Sequence, residues 1–366
     1  MKHSIVSFIL LLVLVTSVTE ESKSQSLEDK IGQMILVGFR GTDIDENHRI
    51  VSDIRDHNLG GVVLYSTDMQ GDGDTRNVES PEQLSRLTES LQDYASTPLF
   101  VAVDQEGGRV NRLDQSYGFP TAHSHRRIGA ENDEDYTRDQ AETIAETLEN
   151  VGVNINFAPV LDLYSNPANP IIGRLNRSFS SDPDEVANHA SIFINTHRQN
   201  GVLNAAKHFP GYGSFADQNY RDIPDVTDTW EETELEPYQQ LIAEDNLDII
   251  MVSNVFNHQL DEEYPASLSS NIINDVLRQQ LGFDGVILAE SPQMQEITEH
   301  YGFEEGVRLQ FKAGADMLQF ANNLVYNENV VEEVIEIGVE LVENGEIPES
   351  QIDASYNRIM NLKESL

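Results

Sequence analysis

Charged and amide side chains follow several short apolar segments of the sequence, at the points where those segments end. These side chains are Asp104, Gln105 and Glu106, then Asp162, Lys207, His208, Asn254 and Glu290. Carboxylates accept hydrogen bonds and cationic groups donate charge-assisted ones, which is the chemistry needed to hold a polar ligand. Any single residue of this set is as readily explained by a surface salt bridge. Together they predict one binding pocket, provided that the fold brings them to one place.

The elements that would position these residues alternate along the chain, short apolar segments with longer amphipathic ones. We predict eight strands, at Ile35–Phe39, Gly61–Tyr65, Leu99–Val103, Val153–Ala158, Leu203–Ala206, Ile249–Val252, Gly285–Leu288 and Asp316–Phe320. Strands that alternate with helices form a parallel sheet, and eight such units close a barrel. The sequence therefore predicts an α/β fold, a single-domain (β/α)8 TIM-type barrel. Because the C-terminal ends of the strands meet at one mouth, Asp104, Lys207 and Glu290 should lie together there.

Capping residues indicate where several of the helices begin. Ser80 and Asp182 each precede a proline, which is the usual order at the start of a helix. Thr229 with Glu232 three residues later predicts another helix start by the same logic. Residues 67–79 are polar and rich in glycine and aspartate, and we interpret them as a mobile surface loop.

The composition excludes several classes of partner. The chain has 63 acidic against 23 basic residues and a net charge of −40, so its surface repels nucleic acid and anionic lipid. It has no cysteine, which excludes disulfides, thiolate nucleophiles and cysteine-ligated metals. Its ten histidines form no metal-ligand spacing. We therefore expect no cofactor, no metal and no nucleic acid partner, and we expect a monomer.

The N-terminus has the pattern of an export signal. Lys2 and His3 precede an apolar run over residues 5–18, which is short for a membrane span and typical of a signal peptide. We interpret residues 1–26 as a signal peptide with a short polar lead, and residues 27–366 as the barrel domain. The protein is then periplasmic or extracellular. The alternative is an uncleaved segment that anchors the protein to the membrane, since no clear cleavage motif follows the apolar run.

Three segments resemble glycoside hydrolase family 3, specifically its single-domain β-N-acetylglucosaminidase branch. Residues 103–112, VDQEGGRVNR, resemble that family's D-x-E-G-G-R-V-x-R segment. Residues 177–180 resemble its R-S-F-S segment, and residues 206–211 its K-H-F-P-G segment. The similarity continues through residues 156–162 and 281–287, so it covers nearly the whole chain after residue 30.

This resemblance implies an exo-acting, retaining β-hexosaminidase that binds a terminal N-acetylhexosamine derived from peptidoglycan or chitin. The residues that match the sugar-holding set of the family are Asp104, Arg112, Arg177, Lys207 and His208. A carboxylate can accept two hydroxyl protons, and guanidinium and ammonium groups can donate to hydroxyl or acetamide oxygens. The alternative for Lys207 and Arg177 is a purely structural pairing with Asp104.

The nucleophile position departs from the family. The resemblance implies an aspartate after the G-F-D-G-V segment, and here that position is Glu290. Glutamate keeps the charge but its reach is one methylene longer, and a misplacement of about 1 Å can cost roughly 100-fold in rate. Tyr212 and Asn254 stand where the family has two further histidines.

The acid/base position departs further. The family uses a histidine oriented by an aspartate two residues earlier, and a gapless alignment puts Gln218 and Tyr220 at those positions. Glutamine does not titrate, and tyrosine has a reference pKa of about 10, so neither carries protons well near neutral pH. Asp217 and Asp222 lie on the same loop and are the candidate substitutes.

Two functional hypotheses follow. We favour a sugar-binding protein whose hydrolytic activity is weak or lost. The positions that differ from the family are those of the catalytic residues, whereas the sugar-holding residues match the family. The alternative is an active retaining exo-β-N-acetylglucosaminidase with Glu290 as nucleophile and a loop carboxylate as acid/base. A barrel without any sugar ligand is a third reading, which the intact set of holding residues disfavours.

Overall fold

The fold is a closed barrel of eight parallel strands surrounded by helices. The computed structural model describes residues 25–71, 73–216 and 222–366. The barrel strands are β1 Ile35–Gly38, β2 Gly61–Leu64, β3 Phe100–Val103, β4 Ile155–Asn156, β5 Leu203–Phe209, β6 Ile249–Val252, β7 Val286–Ala289 and β8 Met317–Phe320. Each strand pairs with its neighbours in chain order, and β8 pairs with β1, where Leu318 lies opposite Ile35. The predicted single-domain (β/α)8 barrel is confirmed.

All eight predicted strands are present, and their bounds differ by a few residues. The largest differences concern β4, which has only two paired residues, and β5, which continues to Phe209. Lys207 and His208 therefore lie inside β5 rather than after it. The pairing of β5 with β6 shifts register between Ala206 and Phe209, and the peptide bond between Lys207 and His208 is cis.

Helices connect the strands and cover the barrel. Their bounds are Leu27–Gln33, Arg49–Asp56, Pro81–Tyr94, His125–Glu131, Glu134–Glu149, Pro183–Gln199, Glu236–Ala243, the π-helix Asn271–Gln280, Gln295–His300, Phe303–Ala313, Val330–Glu343 and Glu349–Lys363. Short 3-10 turns occupy Gln115–Tyr117, Glu232–Leu235 and Ala266–Leu268. Among the described residues, no helix has the length and apolar character required to span a membrane.

Two of the three predicted helix starts are correct. The Ser80 hydroxyl accepts a hydrogen bond from the Gln83 amide at 3.2 Å, and the Asp182 carboxylate accepts one from the Asp184 amide at 2.9 Å. The prediction at Thr229 is wrong. A 3-10 turn follows Glu231 without any side-chain cap. The Thr229 hydroxyl donates instead to the carbonyl of Val226, three residues earlier.

The strands form the centre of an extensive apolar core. Val62, Val63, Leu64 and Val101 are fully buried, and most other strand residues are nearly so. Burying one such aliphatic side chain stabilises the fold by about 1.5–3 kcal/mol. The barrel is therefore a packed scaffold that fixes the positions of its strand ends.

The segment 67–79 is anchored, in contrast to the loose surface loop expected from its composition. A bridge pairs Thr67 with Thr75, and the guanidinium of Arg76 is fully buried. Arg76 donates to the Asn322 carbonyl at 2.7 Å and to the Asp68 carboxylate at 3.3 Å. A buried guanidinium is costly without such partners, so these contacts hold the segment against the chain that follows β8.

Candidate active site

A cavity of about 640 Å³ opens at the mouth formed by the C-terminal ends of the strands. All five residues predicted to hold a sugar line this cavity, as does the predicted nucleophile: Asp104, Arg112, Arg177, Lys207, His208 and Glu290. Small-molecule sites ordinarily measure about 300–1,000 Å³, so the space suits one or two sugar rings. The convergence expected from the strand order is present in the structure.

Lys207 joins two carboxylates at the base of the cavity. Its Nζ lies 2.6 Å from Asp104 Oδ1 and 2.8 Å from Glu106 Oε1, and the ammonium side chain is almost completely buried. Burial alone would raise the pKa of Asp104, but the charges of Lys207 and Arg112 lower it below its usual value. Asp104 is therefore ionised, and 17% of its side chain remains accessible from the cavity. A carboxylate in this state can accept hydrogen bonds from ligand hydroxyls.

Arg177 pairs with Glu106 rather than with Asp104. Its Nε and Nη2 donate to the two Glu106 oxygens at 2.9 and 2.7 Å, a bidentate arrangement. Burial alone would raise the pKa of Glu106, but Arg177 and Lys207 hold it well below the usual value. The alternative of a structural pairing with Asp104 is therefore correct for Lys207 and wrong for Arg177, which pairs with Glu106. Glu106 was predicted to belong to the pocket, because it closely follows β3, but it was given no role in holding the sugar.

His208 is fixed at both ring nitrogens. Nδ1 lies 2.6 Å from Asp162 Oδ2, and Nε2 lies 3.0 Å from Nη2 of Arg177. A guanidinium only donates, so Nε2 is the acceptor and Nδ1 carries the proton given to Asp162. Burial lowers the pKa of His208, which agrees with a neutral ring. Both nitrogens are engaged by the protein, so the arrangement favours a role in orienting Arg177.

Glu290 follows β7 directly and faces the cavity. Its Oε2 accepts a hydrogen bond from the Asn254 amide at 2.8 Å. The Gln310 side chain donates to the Glu290 carbonyl at 2.7 Å and fixes the backbone. Burial raises the pKa of Glu290, and the Asn254 amide, Lys207 and Arg177 partly offset that effect. The backbone amide therefore holds the longer glutamate side chain in one place.

A second carboxyl group, that of Glu296, lines the same cavity. It stands in the first turn of the helix Gln295–His300 and is half-buried. Sequence reasoning did not single it out, because it matches no quoted motif and follows no strand directly. Its only sequence signal is its position six residues after Glu290.

Of the two loop carboxylates proposed as acid/base candidates, one lies outside the described residues and the other is exposed to solvent. Asp217 lies outside the described residues, as do Gln218 and Tyr220. Asp222 is 65% exposed, pairs with His300 Nε2 at 2.7 Å and is not part of the cavity lining. The hydrogen bond from His300 lowers the pKa of Asp222, which does not favour a proton donor.

A family model and curated relatives match most of the chain. The model of the glycosyl hydrolase family 3 N-terminal domain matches residues 26–362. A beta-hexosaminidase of Tolumonas auensis is 34% identical over 294 residues, which is 79% of this chain and 83% of that one. A beta-hexosaminidase of Idiomarina loihiensis is 35% identical over 270 residues, 72% of this chain and 77% of that one.

Solved structures show the same architecture. A glycoside hydrolase family 3 beta-N-acetylglucosaminidase from Paenibacillus sp. superposes with a TM-score of 0.84 at 30% identity. That match covers 93% of this chain, which spans 63% of the Paenibacillus chain. A beta-N-acetylhexosaminidase from Beutenbergia cavernae gives a TM-score of 0.80 at 26% identity, covering 93% of this chain and 99% of the other.

Proposed function

Because the chain belongs to glycoside hydrolase family 3, we propose that it cleaves a terminal β-linked N-acetylhexosamine from a glycan, with Glu290 as the nucleophile. One observation carries this proposal. The Glu290 carboxylate lies in the same cavity as the Asp104–Lys207–Arg177 cluster and is fixed there by the Asn254 amide at 2.8 Å. The site thus combines groups that would hold a sugar with a carboxylate that could attack it.

Asp104, Lys207 and Arg177 would hold the sugar. Asp104 accepts hydrogen bonds from ring hydroxyls while Lys207 keeps it ionised at a distance of 2.6 Å. Arg112, 3.4 Å from Asp104 and partly exposed, donates to hydroxyl or acetamide oxygens on the outer side. With the ring held, the anomeric carbon faces Glu290, and the reaction proceeds through a glycosyl ester that water then hydrolyses.

The change from aspartate to glutamate at the nucleophile is accommodated by Asn254. The Asn254 side chain is turned away, donating to the Ser291 carbonyl at 3.2 Å and accepting from the Ser267 hydroxyl. Asparagine is smaller than the histidine that the family resemblance implies here, and we infer that this leaves room for the extra methylene of Glu290.

The second candidate function is sugar binding without turnover. Burial raises the pKa of Glu290, which favours the protonated and unreactive form of the carboxyl group. The residues aligned with the family's acid/base pair, Gln218 and Tyr220, also carry protons poorly. Under this alternative the holding residues bind the sugar and the chemistry does not follow.

Release of 4-nitrophenol from its N-acetyl-β-glucosaminide tests the proposal, because this leaving group departs without a proton and reports on Glu290 alone. We expect slow turnover by the wild-type protein and only background release by Glu290→Gln. Binding of N-acetylglucosamine, measured by calorimetry, should persist in that variant and shows that the site is intact. Sugar binding with no release by the wild type would support the second candidate instead.

We also propose that the glycan is a peptidoglycan- or chitin-derived oligosaccharide met outside the cytoplasm. This rests on the signal-like pattern over residues 1–26, most of which lies outside the described residues, and on the family resemblance. The proposal includes a monomeric state, which the net charge of −40 supports through self-repulsion.

A further inference from the structure

Glu296 and Glu290 face one cavity from adjacent pieces of chain. Glu290 follows β7 directly, and Glu296 occupies the first turn of the helix that comes next, and both residues line the cavity. Retaining cleavage requires two such groups about 5–5.5 Å apart. When the usual proton carrier is replaced, a second carboxyl group in the pocket of the nucleophile is therefore a candidate for its role.

Asn254 contacts both carboxyl groups. Its backbone amide donates to Glu290 Oε2 at 2.8 Å, and its side chain lies close enough to the Glu296 carboxyl to lower the pKa of that group. Asn254 is almost fully buried at the end of β6. The chain at the end of β6 thus binds Glu290 directly and lies beside Glu296.

Glu296 also stands on the side of the cavity next to the loop that follows β5. Asp222, on that loop, contacts His300 at the end of the same short helix at 2.7 Å. Pro224, Asn254 and Val255 line the cavity together with Glu296. The resemblance places the family's proton carrier on this loop, so Glu296 borders the region from which a proton would be delivered.

Its surroundings bring the pKa of the Glu296 carboxyl close to neutral pH. Burial, and to a smaller extent the negative charge of Glu290, raise the pKa of Glu296 to about 7, against the opposing effect of its own backbone amide and of Asn254. The other ionisable groups of its helix, Glu299 and His300, are exposed to solvent. A carboxylic acid that is protonated at pH 6 is suited to giving up a proton during the reaction.

We propose that Glu296 is the general acid and base of this enzyme, a role that rests on the proposed function of the site. It replaces the missing proton carrier of the loop, with Glu290 as its partner.

Glu290 attacks the anomeric carbon, the bond from that carbon to the leaving oxygen breaks, and the leaving oxygen takes its proton from Glu296. In the second step water attacks the same carbon, gives one proton back to the Glu296 carboxylate, and releases Glu290 as a carboxylate. The enzyme returns to its starting state with one glycosidic bond hydrolysed.

The competing candidate is the Asp222–His300 pair, because the proton carrier implied by the family resemblance is a histidine oriented by an aspartate. His300 is 49% exposed and Asp222 65% exposed, and neither lines the cavity. A proton carrier must reach the leaving oxygen directly or through one water. Glu296 lines the cavity in which the leaving oxygen would lie, and the exposed pair does not.

The test compares Glu296→Gln with Glu299→Gln, which removes an exposed carboxylate from the same helix. Each variant is assayed on the nitrophenyl glycoside and on a chitobiose-like disaccharide. In Glu296→Gln we expect kcat/KM for the disaccharide to fall by roughly 10²–10⁴-fold, because its leaving oxygen needs a proton. For the nitrophenyl substrate kcat/KM should stay within a few-fold of wild type. Glu299→Gln should match wild type on both substrates.

Two further readouts separate catalysis from a structural effect. Wild-type activity on the disaccharide should fall as pH rises through about 7, and this loss should be absent in Glu296→Gln. Added azide should speed nitrophenol release by Glu296→Gln and yield the β-glycosyl azide, because azide attacks the ester intermediate without a general base. Glu296→Asp keeps the carboxyl group and should retain the pH dependence at a lower rate.

The outcomes distinguish the two proposals. A wild-type protein that releases no nitrophenol would overturn the hydrolase assignment, and the role of Glu296 with it. Wild-type turnover that is abolished in Glu290→Gln but unchanged in Glu296→Gln on both substrates would overturn the role of Glu296 alone. A loss in His300→Gln that matches the loss expected for Glu296→Gln would do the same and assign the proton to the Asp222–His300 pair.

Discussion

Individual residues at the mouth of the barrel act through shared partners rather than singly. Lys207 touches both Asp104 and Glu106, and Glu106 in turn engages Arg177. Removing one member of such a buried network leaves an uncompensated charge, which typically costs about 3–5 kcal/mol. A substitution of Lys207 therefore changes stability as well as ligand affinity, whereas Asp104 stands at the edge of the network and reports more cleanly on the ligand.

For this reason we expect Asp104→Ala to weaken binding of N-acetylglucosamine by about 1.5–3 kcal/mol, the usual worth of a hydrogen bond to a charged group. Titration calorimetry measures the affinity, and thermal unfolding shows whether the variant is folded. Asp139→Ala, which removes an exposed carboxylate from the helix Glu134–Glu149, is the matched control. Equal affinity in Asp104→Ala and wild type would place the sugar elsewhere.

The residues proposed to hold the sugar could be selected from the sequence because each of them matches a family segment. Their contacts were not predictable from spacing. The pairing of Arg177 with Glu106 joins residues 71 positions apart, and the link from Asn254 to Glu290 joins residues 36 apart. Glu296 was missed because half-burial beside another carboxyl is a property of the fold.

The observed secondary structure agrees with the sequence prediction where the apolar periodicity is strong. It differs from the prediction where particular hydrogen bonds determine the local structure. Eight apolar segments between amphipathic ones leave few alternatives to a barrel. The anchoring of residues 67–79 depends on a tertiary partner, the chain after β8, whereas the Thr229 hydroxyl binds a local partner, the Val226 carbonyl three residues earlier. Neither of these hydrogen-bond partners can be identified from the composition of the segment.

The helix Pro183–Gln199 is tied to the barrel by a buried histidine, and this has a consequence at low pH. His197 Nε2 lies 3.1 Å from Asn156 Nδ2 of β4, and its Nδ1 lies 2.9 Å from the Phe193 carbonyl. Burial lowers the pKa of His197 to about 3. Burial likewise lowers the pKa of His125, stacked on Phe179, to about 4. Both rings are neutral in the folded protein at pH 5.

We therefore expect the contribution of His125 and His197 to the free energy of unfolding, measured as the difference between the wild type and the variants His125→Gln and His197→Gln, to fall as pH drops from about 6.5 to about 4. Below about 6.5 the unfolded chain protonates these histidines while the folded chain does not, so acid favours unfolding. Each group contributes up to about 1.4 kcal/mol per pH unit in that window. Urea titrations at a series of pH values measure the effect. Histidine ring signals in NMR that titrate near pH 6.5 at both positions would contradict it.

For the whole molecule, charge is the dominant property. A net charge of −40 places the 63 acidic side chains in mutual repulsion, and that repulsion opposes the compact state. Salt screens exposed charges over a Debye length of about 10 Å at 0.1 M and about 3 Å at 1 M. The thermal unfolding midpoint should therefore rise between about 0.05 and 1 M sodium chloride. A midpoint that is flat or falls over this range would show that the acidic surface does not strain the fold.

The closure of β8 onto β1 matters most when salt has removed that repulsion. Screened molecules approach one another, and an open sheet would then present an unpaired edge strand as a template for association between chains. Each of the eight barrel strands has a neighbour on both sides, so the barrel offers no such edge. The barrel backbone thus prevents this one route of association at high salt, whatever the surface charge.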